Sequence, residues 1–180
     1  MNATWRILKV GPDPPRVVNA LIEIPMGSNV KFELDHETGV AFVDRVLHTA
    51  FVYPFDYGII PRTWYFDNDP MDIMVLSRVS LFPGCVVPAR PIGFVRMRDE
   101  AGEDNKVLAV PAKDPYWERI KDVSDVPAGI LEEIRHFFEH YKDLEPGKWV
   151  KLEGWDGREV AEREVEKAMS IYIQKFGTVR

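Results

Sequence analysis

Cysteine is almost missing from this sequence: Cys85 is the only one among 180 residues. A single cysteine excludes an internal disulfide, so we expect a protein of the reducing cytoplasm. Long apolar runs are missing as well. No stretch approaches the roughly 18 apolar residues that a membrane helix needs, and residues 1–11 carry no run typical of a signal peptide. We therefore expect no membrane partner.

An excess of positive charge is also lacking, because the formal net charge is −6. Non-specific nucleic-acid binding requires a basic surface, so we expect no nucleic-acid partner. The composition, 46% apolar and 29% charged, is that of a globular protein, and the length suits one domain over residues 1–180. The negative charges are uneven, and they concentrate in residues 67–72 and 99–104.

The first 110 residues read as short strands separated by turns that contain Pro and Gly. Apolar and β-branched runs predict strands at 17–24, 30–34, 40–46, 72–79, 90–98 and 106–110. The second and third of these are joined by a loop of hairpin length that ends in Gly39. Many short strands of this kind indicate an antiparallel, barrel-like sheet.

The last 55 or so residues change to helical periodicity. Apolar residues recur at helical spacing over 130–141, and Ser124, Asp125 and Pro127 are start signals for this helix. A second helix is predicted to begin at Asp156, with Glu159 as its capping-box partner. The fold class that we predict is α+β, mostly β, in a single domain.

The acidic segment at residues 67–72 holds three carboxylates, Asp67, Asp69 and Asp72, around Pro70. A turn at Pro70 brings them together, and their repulsion favours a hard cation such as Mg²⁺ or Mn²⁺. A calcium EF-hand is excluded, because Asp72 and Arg78 stand where that loop requires Gly and Glu. Taken alone, the segment fits a solvated turn at least as well.

The second acidic segment and several cations make the metal interpretation stronger. Residues 99–104 form another short acidic turn, and two acidic turns on one sheet can share a set of cations. Lys31 and Glu33 lie on one face of a predicted strand, and Arg45 lies on the next strand. Such a mixture suits a small phosphoanhydride, whose charge is neutralised by metal and by basic side chains.

Common motifs of other enzymes are not found. The sequence contains no Walker loop and no Gly-x-Ser-x-Gly nucleophile elbow. His136 and His140 have the spacing of a zinc helix, but Phe137 stands where the glutamate of that motif is needed.

With these residues in view, the sequence resembles the soluble family I inorganic pyrophosphatases, of the short microbial type. The family motif appears as Asp67-Asn68-Asp69-Pro70-Met71-Asp72-Ile73. Further segments resemble the family in the same order, at residues 21–25, 31–35, 43–46, 53–58, 99–106, 136–144 and 148–155. The resemblance covers roughly residues 17–175.

The resemblance implies a five-stranded OB-like antiparallel barrel, flanked by two C-terminal helices, that hydrolyses pyrophosphate. It implies several Mg²⁺ ions per site, with Mn²⁺ or Zn²⁺ as substitutes, and a homo-hexamer. Asp69 is implied as the catalytic base. The implied metal ligands are Asp67, Asp72, Asp99, Asp104 and Glu33; the implied substrate-binding residues are Lys31, Arg45, Tyr57, Lys106, Tyr141 and Lys142, and Glu23 is implied to line the site.

Two alternatives remain open at this point. One is a metal-dependent hydrolase of another phosphoanhydride, a nucleotide or a polyphosphate, which would need a base-stacking pocket or a long basic groove. The other is a non-catalytic OB-type module that binds nucleic acid, which would need exposed aromatics in a basic groove.

Overall fold

The computed structural model describes residues 4–177. In chain order it contains α1 (Thr4–Ile7), β1 (Val18–Ile24), β2 (Val30–Leu34), β3 (Ala41–Val46), β4 (Asp56–Ile59), β5 (Asp72–Val75), β6 (Val86–Asp99), β7 (Gly102–Glu103), β8 (Lys106–Pro111), α2 (Ala128–His140), β9 (Val150–Gly157) and α3 (Arg158–Phe176). Two short 3₁₀ turns, Pro115–Trp117 and Val123–Asp125, precede α2.

A closed ring of strands forms the centre of the molecule. The order is β1-β4-β5-β8-β6, and β6 pairs back with β1. The long strand β6 also pairs with β7 and β9. β1 and β4 approach each other closely at Gly58, where a Cβ atom would lie 2.0 Å from the Leu21 carbonyl oxygen. The mostly β fold with C-terminal helices is thereby confirmed.

One pairing of the ring differs from the antiparallel sheet that was predicted. β5 and β8 are parallel, with Ile73 opposite Val107, whereas the other pairs of the ring are antiparallel. The reason is topological: β6 runs between them in sequence and pairs antiparallel with β8, so β8 returns in the direction of β5.

Strands β2 and β3 form a separate two-stranded sheet outside the ring. We refer to residues 30–46 as the hairpin. Lys31 lies opposite Arg45 in its register. Leu34 is buried, whereas Phe42 and Val43 are 58% and 61% exposed. The hairpin is therefore buried only in part, and much of the apolar surface of β3 is exposed to solvent.

The two C-terminal helices cover the ring on separate apolar clusters. α2 buries Ile134, Phe137 and Phe138 against one cluster, and α3 buries Val165 and Ala168 against another. The predicted capping box at Asp156 and Glu159 is wrong, because Gly157 is the N-cap of α3 and makes no side-chain cap hydrogen bond. Asp122 instead accepts a hydrogen bond from the Arg158 amide at 2.8 Å.

The predicted start signals of α2 are also corrected. Pro127 is the N-cap and Asp125 belongs to a capping box with Asp122 in the preceding 3₁₀ turn. Within residues 4–177, no helix has the length and apolar character needed to cross a membrane.

Candidate active site

The acidic turn at residues 67–72 owes its shape to Asn68. Asn68 has a φ of +65°, the left-handed conformation that asparagine tolerates better than most residues. Asp67 Oδ1 accepts a hydrogen bond from the Asp69 amide at 3.1 Å. The chain then enters β5 at Asp72, so the turn presents Asp67, Asp69 and Asp72 at one end of the ring.

Three carboxylates converge here, one at the start of β5, one in the turn before it and one in the loop before β8. Ligand oxygens of Asp67, Asp72 and Asp104 all lie within 4.8 Å of one another. Lys106 Nζ lies 2.7 Å from Asp72 and 2.8 Å from Asp104, and this lysine is buried at the start of β8. The parallel pairing of β5 with β8 is what places Asp72 beside Asp104 and Lys106.

This cluster carries more negative charge than Lys106 balances. Burial and the neighbouring Asp72 raise the pKa of Asp67 to about 6. Burial, followed by repulsion from Asp72 and Asp67, raises the pKa of Asp69 to about 7. Burial also raises the pKa of Asp104, against the opposing effect of Lys106. A bound cation would relieve this repulsion and lower these pKa values.

The second acidic segment, residues 99–104, adds Asp99 and Asp104 to the site from the turn that joins β6 and β7 and the loop after it. Asp99 Oδ2 accepts a hydrogen bond from Lys142 Nζ at 2.9 Å. Burial disfavours the ionised form of Asp99, but this hydrogen bond and that of the Ala101 amide hold its pKa below the ordinary value. Lys142 follows α2, so the helix delivers Tyr141 and Lys142 to the same cavity.

The hairpin forms the opposite wall with side chains of both charges. Lys31 pairs with Glu33 and lies 3.5 Å from Asp44. Arg45 Nε donates to Glu145 at 3.0 Å, which ties the hairpin to the segment after α2. Glu23 on β1 accepts a hydrogen bond from the Leu34 amide at 2.8 Å, which ties it to the ring.

A cavity of about 560 Å³ lies between these walls. The structure brings all of the predicted site residues to it: Lys31, Glu33, Arg45, Tyr57, Asp67, Asp69, Asp72, Asp99, Asp104, Lys106, Tyr141 and Lys142, together with Glu23. His36 and Lys148 also line it, and sequence reasoning missed both. Lys148 could have been found from the sequence, because it begins the segment 148–155 that resembles the family. For His36 the only hint was its position next to Asp35, at the end of the family-like segment 31–35.

Buried tyrosines form the floor of the cavity. Lys106 Nζ lies 5.3 Å from the centre of the Tyr57 ring, a cation–π distance. Burial raises the pKa of Tyr57 and of Tyr141, so both hydroxyls stay protonated and can donate hydrogen bonds to an anion. Oxygen ligands at one side and cationic or hydroxyl donors at the other suit a small, highly charged phosphate compound.

Comparison with known proteins agrees with this chemistry. A family model described as "Inorganic pyrophosphatase" matches residues 20–173. An inorganic pyrophosphatase of Saccharolobus solfataricus is 53% identical over 166 residues, which cover 90% of this chain and 96% of the relative. One of Aquifex pyrophilus is 51% identical, with 93% and 96% covered. The crystal structure of the Thermus thermophilus inorganic pyrophosphatase superposes with a TM-score of 0.92 at 47% identity, covering 94% of this chain and 99% of that one.

Proposed function

The chain belongs to the inorganic pyrophosphatase family and hydrolyses pyrophosphate to phosphate, and we propose that it does so with several Mg²⁺ ions, as a homo-hexamer of the cytoplasm. The main support for metal binding is that ligand oxygens of Asp67, Asp72 and Asp104 lie within 4.8 Å of one another. Such a cluster is stabilised by positive charge, and Lys106 supplies only part of it.

The donor chemistry of the cluster fits a hard divalent cation. The converging groups are carboxylate oxygens, which Mg²⁺ and Mn²⁺ prefer, whereas Zn²⁺ favours nitrogen and sulfur. We assign Asp67, Asp72, Asp99 and Asp104 as ligands, with Glu33 serving a further ion from the hairpin. Bound there, the metal ions neutralise phosphate charge and lower the pKa of water.

Asp69 is proposed as the general base that accepts the proton of the attacking water. The cations proposed here would lower its pKa from the value near 7 that it has without them, so that Asp69 is ionised at neutral pH and can accept a proton. Its side chain is half exposed to the cavity, so the carboxylate has access to a water molecule there.

Basic and hydroxyl groups are proposed to bind the phosphate oxygens. They all line the cavity: Lys31, Arg45, Tyr57, Lys106, Tyr141 and Lys142. Each of the four cations now pairs with a carboxylate. A phosphate oxygen can replace that carboxylate as the partner, provided that the carboxylate gains a metal ion in exchange.

The metal proposal is tested by assaying phosphate release from pyrophosphate with Mg²⁺, with Mn²⁺, with Zn²⁺ and with excess EDTA. Mg²⁺ should give the highest rate and EDTA should abolish turnover, with recovery when Mg²⁺ is restored. Full activity in EDTA would overturn the proposal. ATP under the same conditions is the control for substrate choice and should be turned over much more slowly.

The homo-hexamer is supported by apolar surface on the hairpin and elsewhere. Phe42, Val43 and Val46 are each more than half exposed on one strand, and exposed apolar groups of this size often mark interfaces. Multi-angle light scattering should give six times the 20.7 kDa mass of one chain. A monomer at micromolar concentration would contradict it.

A cytoplasmic location is supported by the free thiol of Cys85, which has no second cysteine to pair with. Fractionation of the source cells with an activity assay tests this location. Recovery of the activity outside the cytoplasmic fraction would contradict it.

A further inference from the structure

One carboxylate oxygen of Asp69 is buried but has no hydrogen-bond donor among residues 4–177. The Asp69 side chain is 51% exposed, yet its Oδ1 atom is buried and accepts no hydrogen bond from any residue between 4 and 177. The exposed part of the carboxylate is therefore on the Oδ2 side, toward the cavity. A buried acceptor without a donor is costly, so a nearby N–H is expected to satisfy it.

The nearest polar group is the imidazole of His36. His36 Nε2 lies 3.1 Å from Asp69 Oδ1, within hydrogen-bond distance, although the ring does not point its N–H directly at the oxygen. His36 belongs to the loop between β2 and β3, and Asp35 orders that loop by accepting a hydrogen bond from the Thr38 amide at 2.7 Å. A rotation of the imidazole that directs its Nε2–H at Oδ1 would complete this hydrogen bond.

Trp5 contacts both the backbone and the ring of His36. The Trp5 indole N–H donates to the His36 carbonyl at 3.2 Å, and the two rings lie 5.4 Å apart. Trp5 is 2% exposed and also stacks on Trp64 at 5.9 Å. The contact therefore joins a buried aromatic cluster to the loop above the cavity.

The short helix α1, which carries Trp5, is itself fastened to the ring. Arg62 donates to the carbonyls of Arg6 at 3.1 Å and Ile7 at 2.8 Å, and its amide donates to the Trp5 carbonyl at 3.1 Å. These bonds satisfy carbonyls that a helix end leaves free. Trp5 therefore has a fixed position from which to hold the loop.

We propose that His36 is a positioning residue for Asp69, and that Trp5, which lies outside the region matched by the family model, holds His36 in place. Trp5 precedes the matched residues 20–173, and the positioning role of His36 rests on the proposed role of Asp69 as general base. A hydrogen bond from His36 to Oδ1 fixes the rotation of the carboxylate and leaves Oδ2 for the water. Burial lowers the pKa of His36, which favours a neutral ring that donates without neutralising the base.

The test is a double-mutant cycle on kcat for pyrophosphate with saturating Mg²⁺. His36→Ala should lower kcat by about 10-fold, with little change in KM, and His36→Gln should recover most of the loss, because its amide N–H reaches the place of Nε2. In the Asp69→Asn background, His36→Ala should have no further effect. Glu37→Gln, an exposed neighbour in the same loop, is the matched control and should behave as the unaltered chain.

Trp5→Phe tests the second half of the proposal. Phenylalanine keeps an aromatic ring in the cluster but removes the indole N–H, so kcat should fall by about threefold. That loss should vanish in the His36→Ala background. An equal factor in both backgrounds would show that Trp5 acts through stability and not through His36.

The remaining outcomes separate this proposal from the proposed function. If Asp69→Asn lowers kcat strongly but His36→Ala lowers it by the same factor with and without Asp69, His36 does not act through Asp69. The positioning role is likewise overturned if His36→Ala keeps full kcat with unchanged melting temperature. If Asp69→Asn keeps full kcat, the general-base assignment fails, and the positioning role fails with it.

Discussion

The two walls of the cavity are built differently. The acidic wall lies on the closed ring, where Lys106 is 3% exposed between Asp72 and Asp104. The opposite wall lies on the hairpin, a two-stranded sheet whose Phe42 and Val43 are more than half exposed. A sheet of two strands has little stability of its own, so the hairpin depends on its attachments.

Those attachments are few and chemically distinct. Glu23 joins the hairpin to β1, Glu145 joins it to the segment after α2, and Trp5 joins its loop to α1. Changes in the ring wall should therefore alter metal binding and the chemical step. Changes in the hairpin wall should alter substrate binding or, at His36, the positioning of Asp69.

The largest effect is expected on the ring side, at Asp69. Asp69→Asn keeps the size of the side chain but removes the proton acceptor, so kcat should fall by about 10²- to 10⁴-fold. Activity should recover partly as pH rises, because hydroxide then forms without the base. Calorimetry should show that Mg²⁺ affinity changes far less than in Asp72→Asn. Equal loss of Mg²⁺ in both variants would make Asp69 a ligand.

A smaller effect is expected on the hairpin side, at Arg45. Arg45→Ala should lower kcat/KM by about 10- to 100-fold, mainly through KM, because a charge-assisted bond to phosphate is lost. Arg45→Lys should restore only part of it, since lysine lacks the planar guanidinium. The fold should persist, because Lys148 still pairs with Glu145 at 3.2 Å. Normal kinetics with a lowered melting temperature would make Arg45 structural.

Stability should depend on pH through Glu23, where the hairpin joins the ring. Burial raises the pKa of Glu23 from 4.5 to about 8, so the folded protein keeps a proton that the unfolded chain releases. In EDTA the free energy of unfolding should therefore fall as pH rises from 5 to 8, by on the order of 3 kcal/mol from this residue.

Glu23→Gln tests this dependence, because it stays neutral and keeps an oxygen that can accept from the Leu34 amide. Denaturant unfolding in EDTA at pH 5 and pH 8 should show a smaller decrease for the variant. The decrease should not vanish, since raised pKa values at Asp67 and Asp69 act in the same direction. An unchanged decrease would remove Glu23 as its source.

The smallest effect is expected at Glu100, beside the ring wall. Glu100 lies 3.5 Å from Lys142 and accepts a hydrogen bond from the Trp149 amide at 3.3 Å. Lys142 keeps its shorter bond to Asp99, so Glu100→Gln should change KM by less than about threefold. A larger change in steady-state kinetics would extend the functional cluster to this residue.

The sequence located strands in both walls, since the runs predicted at 30–34 and 40–46 match β2 and β3 of the hairpin, and those at 72–79 and 106–110 match β5 and β8 of the ring. The spacing of Asp67, Asp69 and Asp72 within one short segment carried the metal interpretation, and helical periodicity located α2 and α3. The turn, however, depends on the left-handed Asn68, which the motif treats as variable, and not on Pro70 alone.

Other features escaped because they depend on tertiary contacts. β4 was missed because its residues do not alternate between buried and exposed. Even Asp56 is buried there, where it accepts hydrogen bonds from the Met26 and Leu81 amides. β9 was missed as well, although Val150 and Leu152 alternate with exposed residues. The position of His36 beside Asp69 depends on how the hairpin packs against the ring. Residue spacing within a short segment does not determine that packing.

Strand β6 determines when the site can form during synthesis. It closes the ring by pairing with β1, where Val18 lies opposite Ala89 and Leu21 opposite Val86, and it also aligns β8 beside β5. Until β6 and β8 have left the ribosome, Asp72 has neither Asp104 nor Lys106 beside it. A nascent chain that ends before residue 106 therefore lacks β8, whose pairing places Asp72 beside Asp104, where we propose that a cation binds.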